Sequence, residues 1–323
     1  IDEGGIINVP KKEWLSSDDS ILNLATCKAL LQDYHSLEEL YQFLAEEYIN
    51  AYEKEKNNNR AFGLKTVESI NNIKELDGKK WDILNYDKIA TGSGCSMRTM
   101  SIGLAFHGKK NRKDLIKVAI EAGRITHNNA IGYFGGLVTA LFTAFAVEQV
   151  DPTKWVFKML KILNNSYVDD YIKKSNGYKS YEKQYKDDKE YFIDMWEKYV
   201  GKRFKNKEFY YDTLMMWPDR RSAFYNNNFA LFKKRLFPGE SGHDSVIIAY
   251  DCLLDCKETW ETLVIYSMLH VGDSDTTGGI AACFYGMLFG GRLGINIDRF
   301  NKIEFLTEID EITDKLYKKF VKE

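Results

Sequence analysis

Residues 130–147 read AIGYFGGLVTALFTAFAV, eighteen positions without a charge. The fold turns on this run. Its length reaches the minimum of about 18 apolar residues that carries a helix across a bilayer. Gly132, Gly135, Gly136, Thr139 and Thr143 interrupt it, and no basic flank marks a cytoplasmic edge. A helix buried in a globular core fits better. The chain is therefore read as soluble and cytoplasmic, with no membrane partner.

The surroundings agree. Hydrophobic residues make up 44% of 323, enough for a large core in a single domain over 1–323. A formal net charge of -2 and a pI near 6.3 argue against a nucleic-acid partner. The five cysteines, Cys27, Cys95, Cys252, Cys256 and Cys283, contain no CxxC pair, so buried thiols in a reducing compartment are expected rather than zinc or disulfides. The first residues, IDEGGIINVPKKEW, lack the basic start and apolar stretch of a signal peptide.

Helical spacing dominates outward from the central run. In SILNLATCKALL, Leu24, Cys27 and Leu31 recur three and four apart. SLEELYQFLAEEYINAYEKEK opens with the capping pair Ser36 and Glu39. Further helices are expected over 95–106, 114–127, 135–148, 154–163, 190–200, 245–254 and 259–270. Pro10, Pro152, Pro218 and Pro238 fall in expected loops, and hairpin signals are scarce. Lysines and tyrosines interleave over 176–191 among Asp187, Asp188 and Glu190, a pattern read as a solvated helical face. No fixed period suggests a solenoid. The fold class is all-α.

Two helix starts are acidic. SSDDS (16–20) and GDSDTT (272–277) each place two carboxylates ahead of an apolar helix. Neighbouring carboxylates disfavour each other's charged form unless something positive lies between them. A helix N-cap explains either segment taken alone. Hard oxygen ligands for magnesium, calcium or manganese explain both together if the two starts meet. Spacing leaves that choice open. Elsewhere, Gly92 and Gly94 precede an expected helix whose free N–H groups suit phosphate. His127 closes another helix. Ser241, His243 and Asp244 stand too close in sequence to take the spatial roles of a catalytic triad.

In this order the clusters resemble the ADP-ribosylglycohydrolase family, most closely the branch acting on ADP-ribosylarginine. SSDDSILNLATCKAL is similar to its S/T-D-D-T helix start, GSGCSMRTMSIGL to its glycine-rich segment, and ITHNNAIGYFGG to its Thr-His helix pair. SGHDSVIIAYD resembles its SGHD-AYD segment, HVGDSDTTGGIAACFYGMLFG its HGGDSD-T signature, and YFIDMWEKYV a Tyr/Trp-rich stretch of the arginine branch. The resemblance implies a compact orthogonal helical bundle binding two magnesium ions, with manganese as a substitute. Ser17, Asp18, Asp19 and Asp275 would hold one ion. Asp273, Asp275 and Thr276 would hold the other, with Asp275 bridging. Asp18 or Asp19 would serve catalysis by deprotonating a water. Gly92, Ser93, Gly94, Cys95 and Ser96 would receive the diphosphate or its ribose. Contacts with ADP-ribose are further implied for His127, Gly132, Ser241, His243 and Ser274. The expected substrate is an ADP-ribosylated protein. A silent ADP-ribose binder and a hydrolase of O-linked ADP-ribose on serine are the competing readings. The family's upstream G-D-A-x-G helix, with its acidic residue, is not in this sequence.

Overall fold

The computed structural model describes residues 15–58, 60–75, 84–231, 237–290 and 301–322. The readings of residues 1–14, Pro10 included, and of Gly291 lie outside them. Fourteen α-helices run through the described residues. The first seven are α1 Asp18–Leu31, α2 Leu37–Glu55, α3 Leu64–Glu75, α4 Met100–Ala105, α5 Arg112–Arg124, α6 Ala130–Val147 and α7 Trp155–Leu163. The rest are α8 Ser166–Ile172, α9 Tyr178–Arg203, α10 Pro218–Asn228, α11 Gly242–Asp255, α12 Trp260–Met268, α13 Ser274–Phe289 and α14 Leu306–Phe320. Among the described residues, one two-stranded antiparallel hairpin, Phe204–Lys205 with Glu208–Phe209, is the exception to an all-α fold. Asn206 and Lys207 both take positive φ at its turn, so the hairpin forms without the Asn-Gly pair.

The eighteen-residue run is the axis of the molecule. Asn129 caps α6 by accepting from the Ile131 N–H, and from Ala130 to Ala146 every residue is buried. A helix apolar all round belongs inside a core. Helices α4, α5, α9, α11 and α13 pack against it. The glycines set how near they come. A Cβ on Gly135 would stand 2.3 Å from both the Gly242 carbonyl oxygen and Ser96 Oγ, so α6 and the start of α11 touch backbone to backbone.

The lysine- and tyrosine-rich run over 176–191 is not simply a solvated face. It begins the 26-residue α9, whose Tyr178, Tyr185, Phe192, Trp196 and Tyr199 are buried. Asp188 accepts from Tyr86 Oη (2.8 Å) and Asn129 Nδ2 (2.9 Å), and Lys189 pairs with Asp169 at 2.6 Å. The residues read as an arginine-branch signature, Trp196 and Tyr199, thus build core. Arg203 of α9 and Arg221 of α10 meet Asp251 and Asp255 of α11 in a buried quartet, with Arg203 Nε 2.6 Å from Asp251 and Arg221 bonded to both acids. Pro218 starts α10 rather than lying in a loop, because its missing N–H is unneeded in a first turn. All five cysteines are free thiols; four are buried and Cys283 is partly so.

Candidate active site

The two acidic helix starts meet. Thr276 Oγ1, in the first turn of α13, donates to Asp19 Oδ1 in the first turn of α1 at 2.9 Å. Ser17 Oγ donates to the other oxygen of Asp19 at 3.2 Å instead of capping α1. Asp18 Oδ2 accepts from the Gly63 N–H at 3.2 Å. Asp273 is both cap and cluster member: Oδ1 accepts from the Thr276 N–H at 3.4 Å, and Oδ2 accepts from Ser93 Oγ at 3.0 Å. Ser93 is thereby tied to the acids. Asp18, Asp19, Asp273 and Ser274 are partly buried, and Asp275 is exposed at the mouth.

Crowding shows in the acidities. Desolvation, then the charges of Asp275 and Asp18, push the Asp19 carboxyl up to about 7. Desolvation, a hydrogen bond with Asp275 and the charges of Asp19 and Asp275 push Asp273 up to about 8. Asp18 is raised as well, chiefly by desolvation, and the pull of Arg98 does not offset it. Four carboxylates are therefore crowded together with too little positive charge nearby. Among the described residues no three Asp, Glu, His or Cys side chains already gather on one point. Each carboxylate is engaged instead by a neighbouring hydroxyl, amide or carboxyl. The donor set of four carboxylates and the hydroxyls of Ser17, Ser93 and Thr276 is all hard oxygen, which fits magnesium or manganese and not zinc.

The glycine turn lies beside this cluster, but its reasons are partly internal. Ser93–Arg98 is a 3₁₀ helix rather than an α-helix from Cys95. Gly92 bridges to Ser241, and the Ser93 N–H is taken by the Glu240 carbonyl at 3.0 Å. A Cβ on Gly94 would come within 2.5 Å of the His127 ring, so this glycine makes room for an imidazole. His127 is buried, hydrogen-bonded to Thr126 Oγ1 at 2.8 Å, and burial followed by the charge of Arg98 lowers its pKa to about 3.

Several residues expected to contact ADP-ribose also have partners within the fold. Cys95 Sγ points at the Gly123 carbonyl and Ser96 Oγ at that of Gly242, and both are buried. Gly132 is closed off by the Ala90 carbonyl. Ser241 and Asp244 form a capping box on α11, and the wholly buried His243 bonds the Phe229 carbonyl through Nε2 at 2.7 Å. These side chains are spent inside the fold. Gly92, Gly94 and Ser274 keep partial exposure beside the acids.

Sequence reading missed two supports. The Gly63 amide on Asp18 comes from a loop with no distinguishing pattern. The lock behind Asp273 left a signal in the second threonine of DSDTT: Thr277 Oγ1 lies 2.8 Å from His270 Nε2, 2.8 Å from the Ser267 carbonyl and 2.9 Å from that of Asp273.

An all-helical scaffold with an oxygen-rich acidic cleft between two helix starts is the class this geometry defines. Residues 4–323 match the family model described as ADP-ribosylglycohydrolase, and the chain belongs to that family. ADP-ribosylhydrolase ARH1 of Dictyostelium discoideum is 30% identical over 327 residues, 96% of this chain and 82% of that protein. A protein of Acanthamoeba polyphaga mimivirus named as a candidate ADP-ribosyl glycohydrolase is 36% identical over 318 residues, 96% of this chain but 60% of its own length. This chain thus spans less than two thirds of the viral relative. A solved ADP-ribosylglycohydrolase-related protein complex shares the fold, with a TM-score of 0.61 over 99% of this chain and 86% of its own at 15% identity.

Proposed function

We propose that this chain is a magnesium-dependent hydrolase that removes ADP-ribose from modified arginine side chains of proteins. The observation that carries the reading is the Thr276–Asp19 hydrogen bond at 2.9 Å, which joins the two acidic helix starts, so that the charge of Asp275 reaches Asp18, Asp19 and Asp273. The motif resemblance and the relative named ADP-ribosylhydrolase ARH1 support the substrate class.

Ser17, Asp18, Asp19 and Asp275 would hold one ion, and Asp273, Asp275 and Thr276 the other. When bound, the ions would neutralise the carboxylates, orient ribose hydroxyls and acidify a water. Asp18 or Asp19 would accept a proton from the attacking water as its oxygen bonds to the anomeric carbon. The C–N bond breaks through an oxocarbenium-like state, and the proton taken by the aspartate passes to the departing guanidine nitrogen. Ser17 and Thr276 each grip one oxygen of Asp19 and so fix the plane of its carboxylate. The partly exposed backbone at Gly92 and Gly94 lies next to the acids and would face the diphosphate.

The test is release of ADP-ribose from arginine-modified and serine-modified proteins, with magnesium and with chelator. Release from arginine alone, lost in chelator, is expected. Release from serine alone, or equal release in chelator, would refute it.

A further inference from the structure

Arg98 closes the glycine turn and is wholly buried, yet among the described residues it forms no ion pair; its guanidinium rests 4.2 Å over the Tyr48 ring. Its Nη2 donates to the Ala122 carbonyl, in the last turn of α5, and to Thr126 Oγ1, each at 2.7 Å. His127 Nδ1 lies 2.8 Å from that same Thr126 Oγ1. A guanidinium only donates, so the Thr126 oxygen accepts from Arg98. The hydroxyl hydrogen is left for His127 Nδ1, the other partner that Oγ1 has among the described residues. An Nδ1–H would meet the hydroxyl as a second donor and strand the hydroxyl hydrogen without an acceptor. Nδ1 is therefore the acceptor, and the proton of the neutral ring sits on Nε2. Burial and the charge of Arg98 both disfavour the imidazolium form. Nε2 lies against the glycine turn, where a Cβ on Gly92 would stand 3.2 Å from it and one on Gly94 3.1 Å. Among the described residues Nε2 has no hydrogen-bond partner, and it is not sealed as Nδ1 of His270 is. A capping role at the end of α5 explains the bond to Ala122 but not the chain of contacts that runs on to the turn.

We propose that Arg98 and Thr126 are positioning residues: they hold His127 as the Nε2–H tautomer, so that this N–H donates to an oxygen of ADP-ribose lying in the glycine turn. The inference rests on the function proposed above, which supplies the ligand. The family resemblance implies a contact at His127; the relay behind the ring decides which nitrogen carries the proton. In the other tautomer the ring would turn a lone pair toward that oxygen, two acceptors face to face.

The experiment combines NMR of imidazole-labelled protein with calorimetric titration of ADP-ribose, on the parent, Thr126→Val and Thr126→Ser. The His127 signals are identified by their loss in His127→Asn. In the parent, Nε2 should be protonated and Nδ1 bare, and ADP-ribose should shift the Nε2–H resonance. Thr126→Val keeps the size of the side chain and removes the hydroxyl; it should populate the other tautomer and weaken ADP-ribose binding about tenfold or more. Thr126→Ser restores the hydroxyl and should return the tautomer, with affinity within about threefold of the parent. Thermal melts accompany each titration, and the parent spectrum together with Thr126→Ser decides the matter should Thr126→Val fail to fold. A parent protonated at Nδ1 overturns the relay, as does a folded Thr126→Val that keeps parental affinity or a Thr126→Ser that fails alike; the hydrolase reading then stands or falls on its own release assay. A parent with the expected tautomer that binds no ADP-ribose overturns the proposed function, and the role given to the relay with it.

Discussion

Asp275 is the most exposed of the four carboxylates, yet its charge acts on Asp18, Asp19 and Asp273 alike. If both proposed ions share Asp275, it should be the least replaceable of the four. Asp275→Ala is expected to cost several kcal/mol of transition-state stabilisation, a fall in turnover of about a thousandfold or more. Ser17→Ala, which removes one hydroxyl from Asp19, should cost roughly ten- to a hundredfold. Single-turnover release of ADP-ribose measures both. The same residues make the metal-free protein sensitive to pH. In the unfolded chain these carboxyls ionise near 3.8, whereas in the fold Asp19 holds its proton to about 7 and Asp273 to about 8. Between those values the folded state binds more protons than the unfolded state, so their contribution to stability falls as pH rises. The gain in melting temperature from magnesium should therefore grow from pH 5 to pH 8. Asp19→Asn should raise the metal-free melting temperature at pH 8 and shrink that gain. A gain independent of pH would contradict the account.

At the scale of elements, two devices hold the cleft in place. The first is the contact of α6 with α11, where Gly135 leaves no room for a methyl group. Gly135→Ala must push the start of α11 away and with it the Ser241 bridge to the glycine turn. About 1–3 kcal/mol of destabilisation is expected, read as a lower urea midpoint. The second is the quartet of Arg203, Arg221, Asp251 and Asp255, which joins α9, α10 and α11. Asp251→Ala leaves buried guanidinium charge uncompensated and should cost about 3–5 kcal/mol, more than an exposed ion pair contributes. An urea midpoint unchanged in Asp251→Ala would mean that the quartet is hydrated rather than sealed.

Across the whole molecule, the sequence made the scaffold legible where caps and apolar spacing coincide. Helices α1 and α2 start where their serine-led acidic starts put them, whereas α6 and α11 begin at Ala130 and Gly242, ahead of the expected 135 and 245, because Asn129 and Ser241 cap them. Reading failed where a polar surface hides a packed face, as in α9, whose lysines mask tyrosines facing inward. It fails again at α10, where Pro218 opens the helix instead of lying in a loop, since proline suits a first helical turn. The acid pairs were legible because two neighbouring carboxylates are costly anywhere without a partner. Their meeting was not, since Thr276 and Asp19 stand 257 positions apart. The packing behind the glycine turn was not legible: His127, more than thirty positions on, lies where a Cβ on Gly94 would stand.

Isothermal titration of magnesium into the metal-free protein at pH 7.5 tests the central claim most directly. Two ions per chain should bind to the parent, with proton release from Asp19 and Asp273, and no more than one to Asp275→Ala. A parent that takes up no magnesium at millimolar concentration would leave two capped helices joined by a hydrogen bond, and would contradict the claim that these four aspartates form a metal centre.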